Sequence, residues 1–578
     1  MAEQLARELK LTPPDDGASS TVRPAAATGD ARADATQPHR RWRGKHSPRA
    51  HSHQGYSRRH APSRAAVVAI GVAFVSGLSL DAAFAPLAWW PVAVPATAAV
   101  MLAVRGRSWR GGLAVGFAFG LGEFVPLLAW LHVVTPLAWI VLAVVEAAYL
   151  AVLGAALSRI VGRLPGWPVW AAFLWVGEEL VRARWPLGGF GWGRLAFSQP
   201  DTPFTSYASV AGAPLVTFAV ALSAGLLAAG VYGGWRSRSR IRTSTAVAVL
   251  PLAAVVGAAA VPAAAAFIPR PTSGRLIQVA VVQGNVPHPG THFLGRAEEV
   301  LDNHLAETGV LADGIANGSY ARPQVVLWPE NASDVDPLND ASVYAKIEAA
   351  TRSVGAPILV GAVLDAGKSH VSNTGIVWSP TTGPGERYTK RHLVPFGEYI
   401  PWRGLVSHLT SLTSLVPENF VPGHTVGALD IGPTTIADVM CFEVAFDDAV
   451  RSGVTAGGRI IVVQTNNATY MGTAETRQQL AMSQLRAVEH GRSVVVAATS
   501  GISAIVSPDG HVVTQTRELT PAIIDQPVIE RSQLTIADHL GATPEWVMGI
   551  LGGLAIIAGI ALPALSGAST RRRPAKEN

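Results

Sequence analysis

Eight apolar stretches, the first seven separated by short polar loops, constrain this chain more than any other feature. They lie near residues 65–80, 86–104, 111–130, 136–157, 167–181, 207–232, 245–268 and 546–566. Each is close to the ~20 residues that a helix needs to cross bilayer hydrocarbon, with the first and fifth on the short side. Only 15% of the 578 residues are charged, against 49% hydrophobic, and the hydrophobic ones are clustered. That distribution excludes an ordinary soluble protein. It predicts a polytopic α-helical membrane domain of eight spans carrying one globular domain.

Loop charges predict the orientation. With a cytoplasmic N-terminus, the inward loops carry Arg105, Arg107 and Arg110, then Arg159 and Arg163, then Arg236, Arg238, Arg240 and Arg242. The first two outward loops, around Asp81 and His132, carry neither Lys nor Arg. This is the positive-inside pattern, and it puts both termini in the cytoplasm. The third outward loop breaks it with Arg182, Arg184 and Arg194, set around Trp185, Phe190 and Trp192 in a glycine-rich stretch. Two readings of that loop stand side by side. One is an aromatic belt at the water–lipid interface. The other is the floor of a lipid site with arginines near phosphate headgroups, which makes Arg184, Phe190 and Trp192 contact candidates. Inside the third span, Glu123 is a costly intramembrane acid and so a functional candidate. Glu178 and Glu179, near a helix end, are expected to reach water or to pair with Arg182.

The domain boundaries follow. Residues 1–64 are polar and basic without apolar periodicity, which predicts a disordered cytoplasmic tail beside anionic lipid. Seven transmembrane helices occupy 65–268, the eighth 546–566, and a second basic cytoplasmic tail 567–578. Much of the net charge of +6 sits in the tails and short loops, so it reports orientation and not nucleic-acid binding. Residues 272–540 form an extracytoplasmic domain. Its apolar strands are Leu276–Val282, Gln324–Trp328, Pro357–Val363, Thr434–Met440, Ile460–Gln464 and Val494–Ala498. Helical stretches at Arg296–Leu311, Ser342–Ser353 and Ala474–His490 alternate with them, and Ser507-Pro508-Asp509-Gly510 reads as a hairpin turn. Alternation of this kind predicts a layered α/β domain.

The chemistry centres on Cys441, the one cysteine of the chain, at the end of the run Ala437-Asp438-Val439-Met440. Zinc-type Cys/His spacings, a P-loop and a dinucleotide fingerprint are absent from the sequence. A lone buried cysteine is usually structural. Here Trp328-Pro329-Glu330 also ends a strand, and Tyr388-Thr389-Lys390 opens a polar run through Glu398 to Pro401. Strand ends converge, so a carboxylate, an ammonium and a thiol make a coherent acyl-transfer set. Glu330 is then the general base, and Lys390 the cation for the oxyanion, aided by a backbone N–H near Cys441. Glu398 and Glu443 are candidates to orient Lys390 and keep it charged.

Trp-Pro-Glu, then Tyr-x-Lys-x-x-Leu-Val-Pro-Phe-Gly-Glu-Tyr-Ile-Pro, then Cys-Phe-Glu resembles the nitrilase (carbon–nitrogen hydrolase) superfamily. With its flanking spans the chain looks like the bacterial apolipoprotein N-acyltransferase family from residue 65 onward, and Gly188-Gly189-Phe190 resembles that family's outward loop. The resemblance implies an αββα sandwich seated on the membrane helices of a bacterial plasma-membrane protein. It implies a Glu330–Lys390–Cys441 triad supported by Glu398 and Glu443. It implies ping-pong transfer, without a cofactor, of a fatty acyl chain from a phospholipid through a Cys441 thioester to the N-terminal amine of a diacylated apolipoprotein. Two positions depart from the family pattern: Phe442 stands where Tyr is usual, and Thr465-Asn466-Asn467 where Ser-Asn-Asp is usual. Asn467 and Tyr470 are therefore further substrate-contact candidates. Competing readings are a membrane-anchored nitrilase-type amidase and a scaffold for a polyprenyl-phosphate mannose synthase, a candidate partner that the resemblance also suggests.

Overall fold

The computed structural model describes residues 63–238, 245–286, 297–409, 413–414 and 416–570. The N-terminal tail expected at 1–64 lies almost wholly outside the described residues, as do Arg240, Arg242 and Arg296. Residues 567–570, expected as the start of the second tail, continue the last helix, and the rest of that tail also lies outside.

Helices occupy the first seven apolar stretches: α1 (Arg64–Asp81), α2 (Ala93–Val104), α3 (Trp109–Leu127), α4 (Pro136–Ile160), α5 (Trp167–Arg182), α6 (Ala208–Arg238) and α7 (Thr245–Ala264). Local signals set their starts. The Ser63 and Ser108 hydroxyls accept from the backbone N–H of Ala66 and Gly111, and Thr135 caps α4 ahead of Pro136. Small residues let α3 and α4 touch backbone to backbone. A Cβ at Gly116 would lie 2.1 Å from the Leu150 carbonyl oxygen, so only glycine permits that approach.

Among the described residues, five segments are long and apolar enough to cross a membrane by length and composition: Arg64–Asp81, Pro136–Ile160, Pro203–Arg236, Val249–Phe267 and Thr543–Ala561. The other three expected spans depart from that standard for physical reasons. Helix α2 has only 12 residues. Helix α3 carries Arg110 and Glu123, and α5 ends in Glu178, Glu179 and Arg182.

The globular domain contains β1 (Arg275–Gln283), α8 (Ala297–Asn317), β2 (Val325–Leu327), α9 (Ala341–Val354), β3 (Ile358–Asp365), β4 (His370–Ser379), β5 (Gly383–Thr389), α10 (Arg403–Leu409), β6 (Asn419–Phe420), β7 (Ala428–Ile431) and β8 (Thr434–Met440). It continues with α11 (Asp447–Thr455), β9 (Ile460–Thr465), α12 (Glu475–His490), β10 (Val494–Ala498), β11 (Ala504–Val506), β12 (Val512–Gln515), β13 (Ala522–Glu530) and α13 (Ile536–Leu540), ahead of the apolar α14 (Thr543–Thr570). One sheet runs β13-β1-β2-β3-β4-β5 with β6 beside β4, and the other runs β12-β11-β10-β9-β8-β7. Both are parallel at the centre, β1-β2-β3 and β8-β9-β10, and antiparallel at the flanks, apart from β6, which pairs with β4 in parallel. The expected turn at Ser507–Gly510 joins β11 to β12, closed by the Gly510 N–H donating to the Ser507 carbonyl.

Alternate residues of the two sheets bury Val279, Leu327, Leu359, Ile436, Met440 and Val462 between them. The other face of the first sheet packs on α8 and α9 through Trp328, Leu301, Ile347 and Val360. The other face of the second sheet packs on α11 and α12, and this core runs without a break into the membrane helices. Val439, Val463 and Leu485 share one buried cluster with Trp175, Phe197 and Val216. The domain is thus an αββα sandwich whose outer layer under β8 is also the top of the helical bundle.

Candidate active site

Glu330 and Cys441 each follow a buried strand. Glu330 lies just past β2, where it is backed by β3. A Cβ at Gly361 would sit 2.2 Å from the Pro329 carbonyl oxygen, so the absence of a side chain there seats the Trp-Pro-Glu turn. Cys441 caps β8 with φ of +50°, a left-handed conformation that costs a non-glycine residue energy. The turn is held by Glu443, whose carboxylate accepts from the Met440 N–H at 2.8 Å. Lys390 follows β5. Its backbone N–H donates to the Asn373 carbonyl on β4, and its carbonyl accepts from Gly423.

The three side chains converge. Lys390 Nζ lies 2.9 Å from Glu330 Oε1 and 2.9 Å from Glu398 Oε1. Asn373 Nδ2 donates to Glu330 Oε1 at 2.6 Å and to Glu398 Oε1 at 3.3 Å. The Asn466 N–H donates to Glu330 Oε2 at 2.9 Å, and the Val394 N–H to Glu398 Oε2 at 2.7 Å. Burial raises the Glu330 carboxyl; Lys390 pulls it back and Glu398 pushes it up again. Burial alone would lower the Lys390 ammonium, but Glu330 and Glu398 outweigh it and hold the cation well above the ordinary lysine range. Burial pushes the Cys441 thiol far up, Glu330 adds to this, and Lys390 opposes it. A thiol so placed is neutral at rest, and acting as a nucleophile would require a base to take its proton.

Glu443 takes a different place from Glu398. Its oxygens accept from Tyr388 Oη (2.8 and 2.9 Å), the Arg391 N–H (2.8 Å) and the His392 N–H (3.0 Å), besides Met440. It ties the lysine-bearing segment to the cysteine turn and does not touch Lys390, contrary to the expectation that it orients the ammonium. Asn373 and Gln479 belong to the site and escaped sequence reading, because an amide on a polar strand or helix carries no local signal.

The bundle supplies one wall. Phe442 stacks on Phe190 (ring centroids 5.8 Å) and Trp192 (6.1 Å). Trp130 meets Trp192 at 5.4 Å and Tyr470 at 5.0 Å. Trp192 is buried, and its indole N–H donates to Gln478 of α12 at 2.6 Å. The interface-belt reading therefore does not hold for Trp192. Asn467 is also buried and bonds to Glu475 and Gln479. Arg184 is half-exposed, pairs with Glu545 and lies over the Trp546 ring.

The arginines expected near headgroups are, for two of the three, internal. Arg182 binds Glu178 (2.9 Å) and Glu146 (3.2 Å), and donates to the carbonyls of Phe190 and Gly193. Arg194 makes two 2.9 Å bonds to Asp447 and pairs with Glu179. Glu179 also accepts from Thr217 and the Leu195 N–H, so neither it nor Glu178 reaches water. Glu123 is buried beside them with Oε2 unpartnered. Asp447 binds Arg486 at 2.8 Å, and Arg486 donates to the Val444 and Ala445 carbonyls of the cysteine turn. One ionic chain thus runs from α5 to the segment after Cys441.

The fold is that of the carbon–nitrogen hydrolase class, and the carbon-nitrogen hydrolase model matches residues 278–531. A second model, the apolipoprotein N-acyltransferase N-terminal domain, matches residues 76–226. An apolipoprotein N-acyltransferase of Mycolicibacterium smegmatis is 38% identical over 504 residues, covering 84% of this chain and 84% of its own. That of Photobacterium profundum is 26% identical over 500 residues, covering 82% of this chain and 91% of its own. This chain belongs to the apolipoprotein N-acyltransferase family. Among solved structures, an amidase from Nesterenkonia sp. aligns over 47% of this chain and 95% of its own at 17% identity, with a TM-score of 0.34.

Proposed function

We propose that this protein transfers a fatty acyl chain from a phospholipid to the N-terminal amine of a diacylated apolipoprotein, through a thioester on Cys441. The observation that carries the mechanism is Lys390 held at 2.9 Å from both Glu330 and Glu398 beside the sole cysteine. Glu330 takes the thiol proton as sulfur attacks the ester carbonyl, and Lys390, with a backbone N–H at the cysteine turn, stabilises the oxyanion. The intermediate collapses to the thioester, and Glu330 returns the proton to the departing lysophospholipid oxygen. The acceptor amine then attacks the thioester, Glu330 takes the amine proton, and the thiol is regenerated as the amide forms.

Eight spans with both ends cytoplasmic set residues 272–540 outside the cytoplasm, as the loop charges support. In this arrangement both lipid-anchored substrates meet Cys441 by lateral diffusion, which raises their effective concentration. Phe190, Trp192, Phe442 and Tyr470 offer an apolar wall for the acyl chain. The amidase and scaffold readings leave this aromatic contact between bundle and site without a purpose. The test is the intact mass of full-length protein after incubation with phospholipid alone. The expected result is one fatty-acyl increment, removed by hydroxylamine, absent from Cys441→Ala, and discharged by a diacylated lipopeptide. Undiminished transfer by Cys441→Ala would overturn the mechanism.

A further inference from the structure

The charged groups that act on Cys441 leave a second set of polar side chains at the sulfur unused. Gln479, on α12, is 2% exposed, and its Nε2 lies 3.5 Å from Cys441 Sγ. Its Oε1 accepts from Thr465 Oγ1 at 3.0 Å and from Asn467 Nδ2 at 3.2 Å. The same Asn467 Nδ2 donates to Glu475 Oε2 at 2.8 Å, and Thr465 Oγ1 also lies 3.3 Å from Asn467 Oδ1. These bonds fix the direction of the amide. Asn467 Nδ2 faces Glu475 Oε2 and the Oε1 end of Gln479, and Thr465 Oγ1 donates to that same oxygen. The NH2 end of Gln479 is then left facing the sulfur.

We propose that Gln479 is a further catalytic residue, whose fixed amide N–H stabilises the negative charge that develops on Cys441 sulfur during attack and again when sulfur leaves the thioester. The physical need is plain. Sulfur must gain charge in a buried site beside the Glu330 carboxylate, with Lys390 committed to two acids. A neutral donor already in place meets that charge without reorganisation and adds no new charge to desolvate. Asn467 is a positioning residue in this reading and Glu475 orients it, while Thr465 both anchors Gln479 and hydrogen-bonds the thiol itself.

The inference rests on Cys441 as the nucleophile, and its test does not need the acyl chemistry. Because the chain has one cysteine, iodoacetamide alkylation of the full-length protein in detergent reports on Cys441 alone. Gln479→Leu should slow alkylation about ten- to a hundredfold, as loss of a hydrogen bond to a charged group does. Gln479→Glu gives the sharper reading. On the acid side its protonated carboxyl still donates to sulfur, and the rate stays near that of the native protein. As pH rises the carboxylate repels the forming thiolate, so the rate falls where the native rate climbs. Loss of packing would not invert a pH profile. Alkylation of Gln479→Leu within twofold of native, or a Gln479→Glu profile parallel to native, overturns the proposal. If Gln479→Leu does not fold, Gln479→Glu decides it by the same criterion. A missing phospholipid thioester with these effects intact would count against the acyl donor and not against Gln479.

Discussion

Replacing Lys390 with Met should damage the reaction in two separable ways. Each of Glu330 and Glu398 keeps one oxygen 2.9 Å from Nζ, so the two oxygens are at most about 5.8 Å apart, twice that distance. Two carboxylates at that spacing repel by about 3 kcal/mol at an effective dielectric constant near 20, worth about two pKa units. In the native site the attraction of Lys390 for Glu330 outweighs this repulsion; without the cation the repulsion stands uncompensated, so Glu330 rises by at least about two units. Loss of the oxyanion donor removes about 10²–10³ in rate. Acylation must also wait for a higher pH before Glu330 can accept a proton. Thioester formation, followed by rapid quench and intact mass, should therefore show a low plateau and an acid limb moved up by at least about two units. Adding Glu398→Gln removes the repelling partner, so the limb should move back while the plateau stays low. Near-native acylation by Lys390→Met would remove Lys390 from the mechanism. A low plateau with an unmoved limb would refute the electrostatic argument.

Three further outcomes follow from groups around the site. Asp438 on β8 is buried with both oxygens unpartnered, and burial, then Glu443 and Glu330, raise it well above the carboxylate range. Below that range both folded and unfolded states are protonated and nothing is lost. Above it only the unfolded state releases the proton, costing about 1.4 kcal/mol of stability per pH unit until the folded group ionises. Asp438→Asn should thus raise the thermal midpoint at neutral pH, with the gain shrinking towards pH 4; a destabilised Asn variant at neutral pH would contradict a neutral Asp438. Arg194→Met leaves Asp447 and Glu179 short of a buried partner and should cost about 3–5 kcal/mol, seen as a lower unfolding temperature in detergent. Unchanged stability would show that the ionic chain carries little. For the topology, Ser237→Cys in a Cys441→Ala background should react with an impermeant maleimide only from the cytoplasmic side, and labelling from outside would break the eight-span reading.

The six strands predicted from apolar runs all exist, because β1, β2, β3, β8, β9 and β10 are central and buried and their sequences need no partner to be recognised. The strands that carry the rest of the site were not legible. β5 reads Gly383-Pro384-Gly385-Glu386-Arg387, a turn by composition, and becomes a strand only by pairing with β4. β4 carries the polar run Ser372-Asn373-Thr374 near its start and so conceals Asn373, which bonds to both acids of the site. Gln479 sits among polar neighbours on α12 and gains meaning only from the sulfur 3.5 Å away.

The arginines of the third outward loop show where a sequence rule ends and why. The positive-inside rule counts charges that face water or headgroups. Arg182 and Arg194 face neither, since each is 2% exposed and bound to acids. Their partners within the spans are Glu146, an acid inside the apolar α4, and Glu178 and Glu179, which make α5 less apolar than spanning helices usually are. The two anomalies of the sequence, cations on the wrong side and acids in the spans, are therefore one feature. Arg194 reaches Asp447, Asp447 reaches Arg486, and Arg486 holds the carbonyls of Val444 and Ala445 three and four residues after Cys441. A buried ionic chain is weak support for stability, because desolvation offsets most of its attraction. Its geometry does something that apolar packing cannot. It fixes the direction in which the cysteine turn meets the bundle, and so sets Phe442, the residue after Cys441, against Phe190 and Trp192.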